Sequence, residues 1–145
     1  MSGLINSAGS KSGVIGETEL DYEEGTWTPT AGIGSLTIDG TAPYTKIGRL
    51  VTIRAYVYSF SDSSGSVLFL TGLPYPPQES FHGTGVFYNV NPVTGTVGIT
   101  PRAYSSGTGR VEMLSTRDND TWLALSYSHF GAGHVAFTLT YMTAS

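Results

Sequence analysis

The chain has 145 residues, enough for one domain with a sizeable core, and only 12% are charged, about half the share usual in soluble domains. Its net charge of −4, with seven basic residues scattered between Lys11 and Arg117, offers no basic stripe, so nucleic acid is not an expected partner. The absence of cysteine rules out disulfides and thiolate metal sites, and no apolar run approaches the ~18 residues of a membrane span, so no membrane insertion is expected.

The opening MSGLINSAGS has neither a cationic region nor an apolar one, and no signal peptide is expected. Residues 1–24 read as an extended N-terminal arm. Between residues 2 and 16 the sizeable apolar groups are Leu4, Ile5, Val14 and Ile15, too few to offset the entropy of ordering the segment alone. The arm is therefore either a flexible linker or a strand that docks on a neighbouring subunit or larger assembly. The acidic run Glu17, Glu19, Asp21, Glu23 and Glu24 reads as solvated.

From Gly25 to the end the sequence reads as strands and turns. It holds 19 Gly, 7 Pro and 9 Tyr and is poor in good helix formers, so almost no helix is expected. In TWTPT, Trp27 alternates with two threonines, which points one large ring inward. SLTID and APYTKIG are short strand candidates. In LVTIRAYVYSF, Val51, Ile53, Ala55 and Val57 share one face and Thr52, Arg54, Tyr56 and Tyr58 the other. SVLFLTGLP, TGVFYNV, GTVGITPRAY and GRVEMLST follow, each bounded by turn residues. TWLALSYSHF is expected to place Leu123, Leu125 and Tyr127 on one strand face. HVAFTLTYM alternates Val135, Phe137, Leu139 and Tyr141 against Ala136, Thr138 and Thr140.

These elements predict an all-β domain over residues 25–145. With eight to ten short strands and no crossover helix, the expected architecture is an antiparallel, jelly-roll-like β-sandwich. Its outward positions are rich in Tyr, Thr and Ser and poor in the charges that usually guard sheet edges, which predicts self-association.

Three blocks in order, LDYEEGTWTPT (residues 20–30), YTKIGRLVTI (44–53) and LTGLPYPP (70–77), resemble a β-sandwich module recurrent in tail fibres, tailspikes and related virion proteins of bacteriophages. The resemblance implies a homotrimer at or near the tip of a fibre or spike, acting without catalysis in attachment to a host-surface glycan or protein receptor. Residues 1–24 would then join the knob to other virion proteins. The alternative is a structural protein, a capsid decoration or a fibre joint, anchored by the same arm. Trp27, with Tyr44 and Ile47 of the second block, is expected to anchor the core or the trimer contact.

The residues offer little chemistry. Asp118 and Asp120 flank Asn119 in a sequence that reads as a hairpin turn rather than a carboxylate pair placed across a sugar. His82, His129 and His134 have no metal-ligand spacing, there is no Gly-x-Ser-x-Gly elbow, and TGTVGIT lacks the lysine of a phosphate loop. No enzyme activity, metal or cofactor is expected. Aromatic rings with nearby amides suit a glycan. On that chemistry Tyr75, Phe81, Tyr88, Asn89 and Asn91 are the candidate ligand-binding residues, with turn or interface residue as the competing reading of each.

Overall fold

The computed structural model describes residues 21–144. Two antiparallel six-stranded sheets enclose one hydrophobic core. The first sheet runs β1 (Tyr22–Trp27), β4 (Ala42–Ile47), β5 (Leu50–Tyr58), β12 (His134–Met142) and β8 (Thr84–Tyr88), with β3 (Thr37–Ile38) on the far half of the β5 edge. The second runs β2 (Thr30–Ala31), β6 (Phe69–Thr71), β10 (Arg110–Arg117), β9 (Thr96–Tyr104) and β7 (Phe81–His82), with β11 (Asp120–Ala124) beside β10.

The alternation in β5 and β12 sets the core. Val51, Ile53 and Val57 lie opposite Tyr141, Leu139 and Val135 across the ladder, and all six are fully buried. The second sheet supplies Leu70, Ala103, Val111 and Met113. Trp27 joins them, its ring edge-on to Phe137 at 6.5 Å. Nonpolar burial of this kind, at ~25 cal/mol per Å², is the main favourable contribution to folding.

The chain passes between the sheets through tight corners. Gly83 joins β7 in one sheet to β8 in the other. A Cβ there would sit 2.3 Å from the Thr138 carbonyl oxygen, so only glycine lets the two backbones approach this closely. Gly72, with φ of 90°, ends β6 with the same closeness to the Thr28 oxygen.

Three sequence expectations need correction. The boundary expected after residue 24 falls inside β1, because Tyr22, Glu23 and Glu24 pair with Ile47, Lys46 and Thr45. The rest of the arm, residues 1–20, lies outside the described residues. TWLALSYSHF is not one strand: β11 ends at Ala124, and Tyr127–His129 form a 3₁₀ turn whose fully buried Tyr127 accepts the Ile33 N–H at 2.9 Å. Finally, the described residues form twelve strands where eight to ten were expected, the surplus being two-residue pieces too short to show periodicity.

Candidate functional site

Along β5 the pairing with β4 ends at Ile53, and that with β3 begins only at Val57. Residues 54–56 therefore face a gap in the sheet. Two groups satisfy the carbonyls left there: the Asp39 N–H donates to the Tyr56 oxygen at 2.8 Å, and the Trp27 indole N–H donates to the Arg54 oxygen at 3.1 Å. The buried tryptophan thus both packs the core and holds the backbone at the gap.

Above this gap lies a groove of about 480 Å³ on the outer face of the first sheet. Asp39, Thr41 and Pro43 form one wall, Thr84 and Val86 of β8 the other, with Arg54 and Tyr56 beside the centre. Its floor is low because β12 places the small Ala136 and Thr138 there: Ala136 lies opposite the larger Tyr56 and Val86, and Thr138 opposite Arg54 and Thr84.

Four rings stand where the groove meets the end of the sheet. Register puts Tyr58, His134 and Tyr88 in one row across three strands. His134 stacks on Tyr58 at 5.0 Å with planes 8° apart, and Tyr88 meets it edge-on at 5.5 Å. The Tyr56 hydroxyl lies 3.0 Å from His134 Nδ1. Tyr88 is 69% exposed, so the cluster presents its aromatic surface to solvent.

Arg54 is exposed and has neither an ion pair nor a side-chain hydrogen bond with any described residue. Each other described cation is engaged. Lys46 pairs with Asp21, Arg102 and Arg110 with Glu112, and Arg117 with Asp120, while Arg49 bonds Gln78 and the Thr143 oxygen at 2.9 Å.

The residues expected to bind ligand do not converge. Tyr88 reaches the aromatic row, but Asn89 has a φ of 56° and turns the chain, and Asn91 donates its backbone N–H to the His129 oxygen. Phe81 is half-buried against the core. Tyr75 faces inward near the opposite end, where its hydroxyl donates to Glu23 at 2.7 Å and its backbone oxygen accepts from Tyr141 at 2.8 Å. Of the expected anchors, Trp27 is buried, Tyr44 packs on the core rim and Ile47 is 44% exposed on the outer face. Sequence reasoning placed Arg54, Tyr56 and Tyr58 outward without joining them to His134, because only strand register brings them together.

Glu23 is not a solvated member of an acidic run. It accepts hydrogen bonds from the Tyr44 and Tyr75 hydroxyls, which hold its carboxyl below the usual range, and the same bond from Glu23 raises Tyr44 to about 12 and also raises Tyr75. A lowered carboxyl pKa contributes stability above the unfolded value near 4.5, lost as pH falls through the folded value. Raised phenol pKa values contribute below pH 10, lost as pH climbs from there towards the folded values, about 12 for Tyr44. Ultraviolet titration of tyrosinate is expected to show Tyr44 and Tyr75 among the late-ionising phenols of the wild type, beside Tyr22 and Tyr141, and Glu23→Gln is expected to return Tyr44 and Tyr75 alone towards pH 10.

Other clusters are structural. Ser126 Oγ lies 2.8 Å from His129 Nδ1, but the Ser126 N–H also donates to that nitrogen at 3.0 Å, so the pair caps the 3₁₀ turn. No carboxylate orients the ring among the described residues. Asp120 pairs with Arg117 across the β10–β11 hairpin, and Asn119 occupies its tip with φ of 55°. Among the described residues no group of three metal-ligating side chains occurs, and no helix is long and apolar enough to cross a membrane. Comparison with known proteins finds no matching family model, no matching curated protein and no matching solved structure.

Proposed function

We propose that this chain is a non-enzymatic attachment module of a bacteriophage particle, a tail fibre or spike tip that binds a host-surface glycan in the groove over Ala136 and Thr138. The observation that carries the reading is the groove itself: a preformed, shallow concavity with exposed rings at one end and hydroxyls along its walls. Glycans are held by such surfaces, apolar sugar faces on rings and hydroxyls on a few polar groups. The motif resemblance in residues 20–77 supports the viral setting.

The same reading includes a jelly-roll-like homotrimer. In its favour, the chain passes repeatedly between the two sheets, and one row of the outer face is unusually apolar: Tyr22, Ile47, Leu50 and Met142 stand side by side on four neighbouring strands. The first three are 54%, 44% and 43% exposed, and covering such a row by a second and third copy removes it from water. Ile47 then serves the trimer contact rather than the core.

Light scattering on the purified chain is expected to give three times the monomer mass, and Ile47→Glu to give monomer that remains folded by circular dichroism. The trimer is expected to label bacterial cells of a susceptible host, and Ala136→Phe, which fills the groove floor, to reduce labelling at least tenfold without changing the mass. Labelling unaffected by Ala136→Phe would remove the groove from the attachment role.

A further inference from the structure

We infer that the groove selects an acidic saccharide, with Arg54 receiving the sugar carboxylate. This rests on the attachment reading and names the ligand class for its site. Arg54 stands on the central part of the outer face, flanked across the β12 ladder by Thr138 and along its own strand by Thr52 and Tyr56, and its guanidinium has no partner among the described residues. In a chain with so few charges, where each other described cation is engaged, a free guanidinium beside a concavity is a recognition group rather than a solubilising one.

Geometry gives it a fixed origin. Arg54 sits opposite Thr138 within the β5–β12 ladder, and the Trp27 indole donates to its oxygen on the gap side. The guanidinium starts from a rigid strand, so less freedom is lost when it closes on a ligand. Its planar fork matches a carboxylate with two parallel N–H donors, a geometry a lysine cannot reproduce.

The rest of the groove suits the remainder of such a sugar. Asp39, on the wall opposite β8, accepts hydrogen bonds from hydroxyls and disfavours a ligand whose negative charge lies on that side. Thr84 and Thr138 offer hydroxyls, and the Tyr56 ring offers an apolar face. Arg54 beside the centre and Asp39 on the wall next to its strand set the ligand's orientation: carboxylate towards Arg54, hydroxyl edge towards Asp39.

The test uses the intact chain in its native oligomeric state, with α2,8-linked sialic acid oligomers and galacturonic acid oligomers as acidic probes and galactose oligomers of matched length as the neutral control. Calorimetric titration is expected to show one acidic probe binding and the neutral control failing. The two acids distinguish a sialic from a uronic source. Arg54→Gln is expected to weaken acidic binding roughly ten- to hundredfold and Arg54→Lys to restore only part of it. Both variants are expected to melt with the wild type, since the side chain is exposed. Binding is also expected to fall with added salt, as an exposed charge contact is screened.

Neutral and acidic probes binding alike, Arg54→Gln binding as well as wild type, or neither acid binding while the protein still labels host cells, would each overturn the inference and leave the attachment reading in place. Loss of cell labelling by the wild type would overturn that reading itself.

Discussion

Trp27→Ala is expected to lower unfolding free energy by about 3–5 kcal/mol, a large share of the ~5–15 kcal/mol that holds a domain of this size. The loss has two parts. One is the cavity left beside Phe137, where the indole is 6% exposed. The other is the Arg54 carbonyl, stripped of its donor at the gap between β3 and β4. Trp27→Phe separates them: it keeps a ring in the core but removes the N–H, and a loss of about 1–3 kcal/mol is expected from the unpaired carbonyl. Urea unfolding measures both. A Trp27→Phe protein as stable as wild type would show that the indole acts by packing alone. Because the same bond fixes the backbone of Arg54, Trp27→Phe is also expected to weaken groove binding while Ile47→Glu acts on the oligomer.

The second large effect concerns Glu112. It points to the outer face of the second sheet, yet it is only 2% exposed, because five side chains close over it. Arg102 and Arg110 both pair with its carboxylate, the latter through Nε at 2.8 Å. The guanidinium of Arg102 lies 4.4 Å from the Tyr104 ring centre and 4.8 Å from Trp122, and that of Arg110 lies 4.8 Å from Phe69 and 5.1 Å from Tyr104. The result is a ladder of alternating rings and cations, each contact adding roughly 0.5–2 kcal/mol according to its exposure.

Removing the carboxylate leaves two cations facing each other, one with its side chain 12% exposed. Glu112→Ala is therefore expected to destabilise by about 3–5 kcal/mol, and the isosteric Glu112→Gln by somewhat less. Replacing all three of Arg102, Glu112 and Arg110 with Met, Leu and Met is expected to recover most of that loss, since apolar groups of similar volume need no pairing. Thermal melts of the single and triple variants decide it. A triple variant no more stable than Glu112→Ala would show that the rings need the cations for their own packing.

Much of the sandwich was legible in the sequence because its two central strands obey a local rule. Every second residue of LVTIRAYVY and HVAFTLTYM is apolar, and each such residue faces the core. Trp27 was legible for the same reason, one large ring between two threonines. The clusters were not. Glu112 reads as an ordinary outward residue of GRVEMLST, since its cover comes from strands up to forty-three residues earlier in the chain, at Phe69, and ten later, at Trp122.

The acids of the leader read as solvated because nothing nearby opposes them. The partners of Glu23, Tyr44 and Tyr75, arrive through β4 and the proline-rich turn after β6. Tyr75 and Phe81 read as ligand groups because aromatic rings near amides suit a sugar, but both pack against the core. The groove depends on a place where strand pairing stops, and no residue pattern announces an interruption in hydrogen bonding between distant segments.

The row formed by Tyr22, Ile47, Leu50 and Met142 also fixes a polarity. Tyr22 opens β1 and Met142 closes β12, so these two strand ends lie at the same pole. The stacked His134 and Tyr58 with Tyr88 occupy the other pole, a full strand length away. A tether fastened at residue 21 and a strap of copies around that row would therefore occupy the same hemisphere, and the aromatic crown would stand clear of both. Pulling on such a tether loads β1 first, an edge strand whose backbone ladder is with β4 and whose far end is pinned by Trp27 in the core.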